Sequence, residues 1–199
     1  MKKMGMPLRK PEEGFTYKDY KSWPPDERWE IIRGIAWNMS AAANRYHQEI
    51  SGVLFNRIYT FLAGKPCRVY HASFDVLLPD NTDQNEDDVA TVVQPDISVI
   101  CDPNKLTVQG CTGAPDWIIE ILSPYTSKKD VEIKFHLYEQ HGVKEYWIVD
   151  PGNRYVHVYL LGADGKYPME PQVFLDKDSI ACTVLEGLRI NLEEVFALD

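Results

Sequence analysis

An acid in the middle of an apolar strand constrains this chain more than any other feature. The run Asp116-Trp117-Ile118-Ile119-Glu120-Ile121-Leu122 is short, apolar and closed by Ser123-Pro124, which predicts a strand over Trp117–Leu122. Alternation puts Trp117, Ile119 and Ile121 on one face and Ile118, Glu120 and Leu122 on the other. A strand that is apolar on both faces belongs in the middle of a sheet. A carboxylate inside it, once buried, must be hydrogen-bonded, ion-paired or metal-bound. The flanking segments bear on the same point. Upstream, Gln94-Pro95-Asp96 leads into a second apolar run ending at Cys101, and downstream a helix predicted over about 128–141 carries Lys134. Two carboxylates on neighbouring strands with a lysine close behind form a site for a hard cation and a phosphate.

The rest of the chain supplies a scaffold. Residues 1–14 mix Lys, Arg, Pro and Gly without periodicity and read as a flexible basic tail, leaving a single domain over 15–199. Thr16 is placed to cap a short helix that Pro24-Pro25 ends, and Trp29 to Met39 reads as a hairpin turning at Arg33-Gly34. Asn44 or Ser40 caps the next helix, where Tyr46, Ile50, Val53, Leu54, Ile58, Phe61 and Leu62 form one apolar stripe. Strands are predicted over 67–71 and 73–78. The loop 80–90 is too polar to pack, and it lacks the Gly and terminal Glu of a calcium loop. In the helix after Pro124, Val131, Phe135 and Tyr138 share a stripe and Gly142 is the stop. Strands over 145–149 and 155–161 pair as a hairpin, two more lie near 173–175 and 179–182, and Asn191 caps a last short helix. With no internal repeat and no linker, the order is mixed α and β around one sheet.

Composition excludes some functions. No run approaches the roughly 18 apolar residues of a membrane span, and the start lacks an apolar signal core, so the reading is a cytoplasmic protein without a membrane partner. Cys67, Cys101, Cys111 and Cys182 show no C-x-x-C spacing, and all four are expected to be reduced, with neither zinc nor disulfides. A net charge of -9 argues against a protein that coats nucleic acid. It does not argue against a nuclease, because site carboxylates add negative charge until a metal neutralises them.

If Asp96 and Glu120 point to the same side at the ends of adjacent strands, their oxygens can share one Mg²⁺, with waters and substrate phosphate completing the shell. Without a cation they would repel each other. A nearby lysine then orients a water or stabilises charge on the phosphate. Plainer readings exist for each residue. Pro-Asp at a strand start is common turn chemistry. Lys134 follows Asp130 by four residues, an ordinary helix pair. His47 lies at the edge of an apolar stripe and reads as a half-buried, satisfied histidine, and the five Trp residues are too scattered for a base-stacking array.

Pro95-Asp96, then Glu120, Ser123-Pro124, Lys134 and Tyr138, closed by Gly142-Val143-Lys144-Glu145-Tyr146-Trp147-Ile148-Val149-Asp150-Pro151, resembles the Uma-two family of putative restriction endonucleases. The resemblance runs from about Thr16 to Phe196. It implies membership of the PD-(D/E)XK nuclease superfamily and a restriction-endonuclease-like fold, a central mixed β-sheet flanked by helices, here with N-terminal and C-terminal hairpins. It further implies a Mg²⁺-dependent DNA endonuclease, with Mn²⁺ as the other fitting ion and Asp96 and Glu120 as the metal ligands. One departure matters. The superfamily's lysine follows the second acid by two residues, where this chain has Leu122, which puts Lys134 forward from the next helix. Glu30 corresponds to a further acid of the family, expected to reach the metal, whereas Asp75 fits a family position without an assigned role. Cutting both strands calls for two sites, hence a homodimer, with Tyr155, Tyr159 and Tyr167 or the N-terminal hairpin as its interface. The competing readings are a catalytically silent nuclease fold that binds DNA or a protein, favoured by Leu122, and an acidic protein-interaction scaffold.

Overall fold

The structure is a computed structural model describing residues 8–9, 14–24, 26–39, 44–123 and 129–197, without the side chains of 8, 9, 129 and 130. Along the chain come β1 (Leu8–Arg9), α1 (Tyr17–Tyr20), β2 (Trp29–Ile32), β3 (Ile35–Asn38) and α2 (Arg45–Phe61). Next are β4 (Arg68–His71), β5 (Asp75–Leu77), β6 (Val92–Val93), β7 (Ile97–Ile100), β8 (Gly110–Thr112) and β9 (Trp117–Ile121). A π-helical segment, Lys129–Lys134, runs into α3 (Phe135–His141). The chain ends with β10 (Glu145–Asp150), β11 (Tyr155–Leu160), β12 (Gln172–Leu175), β13 (Ser179–Ala181), β14 (Arg189–Asn191) and α4 (Leu192–Val195).

Local rules account for most of these boundaries. The β2–β3 hairpin turns at Arg33 and Gly34, both at positive φ (50° and 76°), the backbone that matches the twist of paired strands. Asn44, not Ser40, caps α2 by accepting the His47 N–H at 2.9 Å; Ser40 lies outside the described residues. Gly142 ends α3 in the left-handed region. Within the stretch read as a tail, Leu8–Arg9 pair with β3 as an edge strand, and residues 1–7 and 10–13 lie outside the described residues.

The strands form two six-stranded sheets and one two-stranded ladder, where the sequence suggested one sheet. The first runs β1-β3-β2-β6-β5-β8 and the second β12-β11-β10-β9-β7-β4. Strand β9 is central as expected, parallel to β10 and antiparallel to β7. Trp117, Ile119 and Ile121 join a core closed by Ile50, Leu54 and Ile58 of α2. Burying each of those three α2 residues is worth about 2 kcal/mol, which seats the helix firmly on the sheet. Ile118 faces the other way, into a core shared with Ile32 and Val93 of the first sheet and with Leu137 and Tyr138 of α3. Glu120 therefore projects into the layer where both sheets and α3 meet.

Three expectations are corrected. Cys67 and Cys101 are joined by a disulfide. Continuing the β4–β7 ladder one step past Arg68↔Ile100 sets these two residues opposite each other, a pairing 34 residues apart that no spacing rule reveals. The cysteines thus lend no support to a reducing compartment. Tyr159 and Tyr167 are buried in the second core and cannot carry an interface; only Tyr155 of that trio is partly exposed. Val131 is 43% exposed and has left the stripe of Tyr138.

Cys111 and Cys182 remain as free, buried thiols. Burial pushes the Cys111 thiol up to about 12. At pH 8 almost none of it is thiolate, the form that reacts. Iodoacetamide should therefore label Cys111 in the folded protein at least about 100-fold more slowly than in denaturant, as read by mass spectrometry of the digest. Equal rates would show the site to be open.

Candidate active site

Glu120 sits at the centre of β9 with its side chain buried, and Oε1 accepts from both Lys134 Nζ and Tyr138 Oη at 2.7 Å. Lys134 Nζ is also 2.9 Å from Glu30 Oε1, and its side chain is only 1% exposed. Glu30 Oε1 accepts the Gln94 N–H at 2.9 Å as well. Lys134 thus joins the site acids in a buried ion triplet, as put forward from the sequence, and is not on the exposed face that the plainer pairing with Asp130 supposed; the Asp130 side chain itself lies outside the described residues. A π-helical turn closes on i+5 and is wider than an α-turn. It rotates Val131 off the face it would share with Tyr138, seven residues on, and leaves Lys134 pointing inward one α-turn before Tyr138. Burial, reinforced by the Glu120 charge, holds the Tyr138 phenol well above its ordinary value, so it remains a donor to Glu120.

Asp96 comes to the same place from the neighbouring strand. The β7–β9 ladder pairs Ser98 with Ile118 and Ile97 with Ile119, so Asp96, one residue before β7, lies at the level of Glu120 along β9. Asp96 Oδ2 accepts the Ile121 N–H at 2.8 Å and contacts His47 Nε2 at 3.1 Å. Oδ1 makes no hydrogen bond among the described residues. The structure thus joins Glu120, Lys134 and Glu30 in one buried triplet, and sets Asp96 at the head of the adjoining strand, against His47 and the Ile121 N–H.

Three further groups join them that sequence reasoning did not place. Tyr138 was legible as part of a stripe and of the family resemblance, without a role at the site. His47 shares the buried stripe of Ile50, Leu54 and Ile58, three, seven and eleven residues on, so its polar contact was indistinguishable from core packing. Gln94 is a hub without any sequence signal. Its Oε1 accepts from Arg28 Nε and Nη2 (3.2 and 3.1 Å), while Nε2 donates to Asp75 Oδ1 and Tyr20 Oη at 2.9 Å each. Tyr20 Oη closes the ring on Asp75 Oδ1 at 3.0 Å. Arginine only donates and a carboxylate only accepts, so the Gln94 amide has a single workable orientation. Asp75 thereby gains a place, bracing the strand that leads to Asp96, and does not reach the site itself.

Hard oxygen donors from two facing carboxylates are the set that Mg²⁺ uses when waters and phosphate complete its shell. Asp96 and Glu120 are the carboxylates here with which such a set would begin. Among the described residues no group of three or more His, Cys, Asp or Glu is placed to hold a metal ion, so any ion here would draw on waters and phosphate for most of its shell. When ionised, Asp96, Glu120 and Glu30 carry three negative charges against one positive on Lys134, a balance that one divalent cation cancels. No helix of the described residues is long and apolar enough to cross a membrane.

No curated protein matches the chain. A crystal structure of a putative nuclease of the DUF820 group from Anabaena variabilis ATCC 29413 superposes with a TM-score of 0.72 at 21% identity. The match covers 92% of this chain and 98% of that one, so the two share a fold. Residues 17–193 match the family described as Uma2, putative restriction endonuclease. With that match spanning most of its length, the chain belongs to the Uma2 family.

Proposed function

We propose that this protein is a divalent-metal-dependent DNA endonuclease that hydrolyses phosphodiester bonds at Asp96, Glu120 and Lys134. The observation that carries the reading is the buried Lys134 ammonium on Glu120, with Asp96 at the head of the neighbouring strand β7. Asp96 and Glu120 would hold Mg²⁺ or Mn²⁺, which polarises a scissile phosphate and lowers the pKa of a bound water. Lys134 fixes the Glu120 carboxylate and places positive charge beside the point where negative charge develops on the phosphate. Glu30 acts through Lys134, holding the ammonium from its other side. A homodimer would provide one such site per DNA strand.

The silent-module reading leaned on Leu122 in place of a lysine. Lys134 brings an ammonium to within 2.7 Å of Glu120 from another element, which favours turnover instead. The test is incubation with supercoiled plasmid. Wild type should nick or linearise it with Mg²⁺ and not with EDTA, and Asp96→Ala should lose the activity while keeping its unfolding temperature within a few degrees. Undiminished cutting by Asp96→Ala would refute the site, and absence of both cutting and DNA binding in wild type would refute the function.

A further inference from the structure

We infer that His47 is a positioning residue that commits the Asp96 carboxylate to the metal through a single oxygen. The inference rests on the metal-dependent reading above and deepens it. Asp96 Oδ2 is engaged by two donors from different elements, the Ile121 N–H at 2.8 Å and His47 Nε2 at 3.1 Å. A carboxylate only accepts, so Nε2 is the protonated nitrogen of that imidazole. Both donors lie on Oδ2, which leaves Oδ1 as the oxygen presented to a cation. Groups that hydrogen-bond a ligating carboxylate fix its orientation, and their loss typically weakens metal binding about 10–100-fold.

The imidazole is itself well held. His47 is the third residue of α2, its N–H is tied to the Asn44 cap, and its side chain is 13% exposed. It extends the stripe of Ile50, Leu54 and Ile58 that seats the helix on the second sheet. Asp96 lies just before β7, its carboxylate held by the Ile121 N–H and His47 and its side chain 19% exposed. A rigid, buried helix thus steadies a more open carboxylate. The three elements involved are α2, β7 and β9, so the orientation of Asp96 depends on a residue about fifty positions away in the chain.

The experiment measures Mn²⁺ binding by isothermal titration calorimetry, with no DNA present, alongside thermal unfolding of each metal-free variant. His47→Ala should bind Mn²⁺ about 10–100-fold more weakly than wild type. His47→Gln places an amide nitrogen where Nε2 stood and should restore affinity to within about 3-fold. His47→Asn, whose amide is too short, should resemble alanine. A merely structural His47 would lower the unfolding temperature without separating Gln from Asn in metal affinity. Equal Mn²⁺ affinity in wild type and His47→Ala overturns the inference and leaves the endonuclease reading standing. Weak binding by both His47→Gln and His47→Asn overturns it as well, since the donor would then be irrelevant. A wild type that binds no Mn²⁺ removes the inference and the metal-dependent reading together.

Discussion

Lys134→Met is expected to lower the stability of the metal-free protein by about 3–5 kcal/mol, the usual cost of breaking a buried ion pair by removing one partner. Methionine keeps the length and most of the packing of the lysine stem, so the loss comes from charge. Glu120 and Glu30 would then face one another inside the protein without the ammonium that now sits 2.7 and 2.9 Å from them. For a chain of this size each kcal/mol moves the unfolding temperature by about 2–4 °C, so a fall of about 6–20 °C should appear in a thermal melt with EDTA. Mg²⁺ should recover more of that loss in the variant than it adds to wild type, because a ligand that binds only the folded state stabilises it. Plasmid cleavage at saturating Mg²⁺ should fall about 100-fold or more. An unfolding temperature within a degree of wild type would mean that the triplet is not formed in solution. Equal cleavage by both proteins would remove Lys134 from the chemistry while leaving Asp96 and Glu120 in place.

The difference between this expectation and the exposed-pair reading shows where sequence stops being informative. The faces of β9 were legible because period-2 alternation is local, and Glu120 stood out because nothing else in its strand is polar. Glu30 and Glu120 were legible too, and the structure joins them through Lys134. What could not be read was partnership. Lys134 has Asp130 four residues before it, and an α-helix would make that the natural pair; the π-helical turn that sends Lys134 inward leaves no mark in apolar spacing. The same turn took Val131 out of the stripe. Tyr159 and Tyr167 were misplaced because an aromatic on a late strand looks alike whether it faces solvent or the α3 layer. The Cys67–Cys101 bond and the Gln94 hub depend on which strands become neighbours, a property of the assembled sheets alone.

Two buried glutamates on adjacent central strands allow a sharper test of which acid carries chemistry. Glu145 begins β10 and accepts only neutral donors: Trp147 Nε1 at 2.8 Å, the Thr183 and Val184 N–H groups at 2.9 and 2.8 Å, and Cys182 Sγ at 3.3 Å. Its carboxylate binds the segment after β13 to the sheet and has no titratable cation or second acid beside it among these contacts. Glu120 instead accepts from an ammonium and a phenol. An amide keeps one acceptor oxygen and loses the charge, so the same substitution separates the roles. Glu120→Gln can still accept from Lys134 and Tyr138, and Glu30 still pairs the lysine, so its stability should change by no more than about 1–2 kcal/mol. Its Mg²⁺-dependent cleavage should fall about 1,000-fold, because a neutral oxygen is a poor ligand for a hard dication. Glu145→Gln turns one of its two acceptor oxygens into a donor facing other donors, and should cost about 2–4 kcal/mol. Its cleavage rate per folded molecule should match wild type. Measured together by thermal melts and plasmid cleavage, the two variants should show opposite patterns. If Glu145→Gln loses cleavage while remaining folded, or Glu120→Gln keeps it, the chemistry does not reside at the β7–β9 pair.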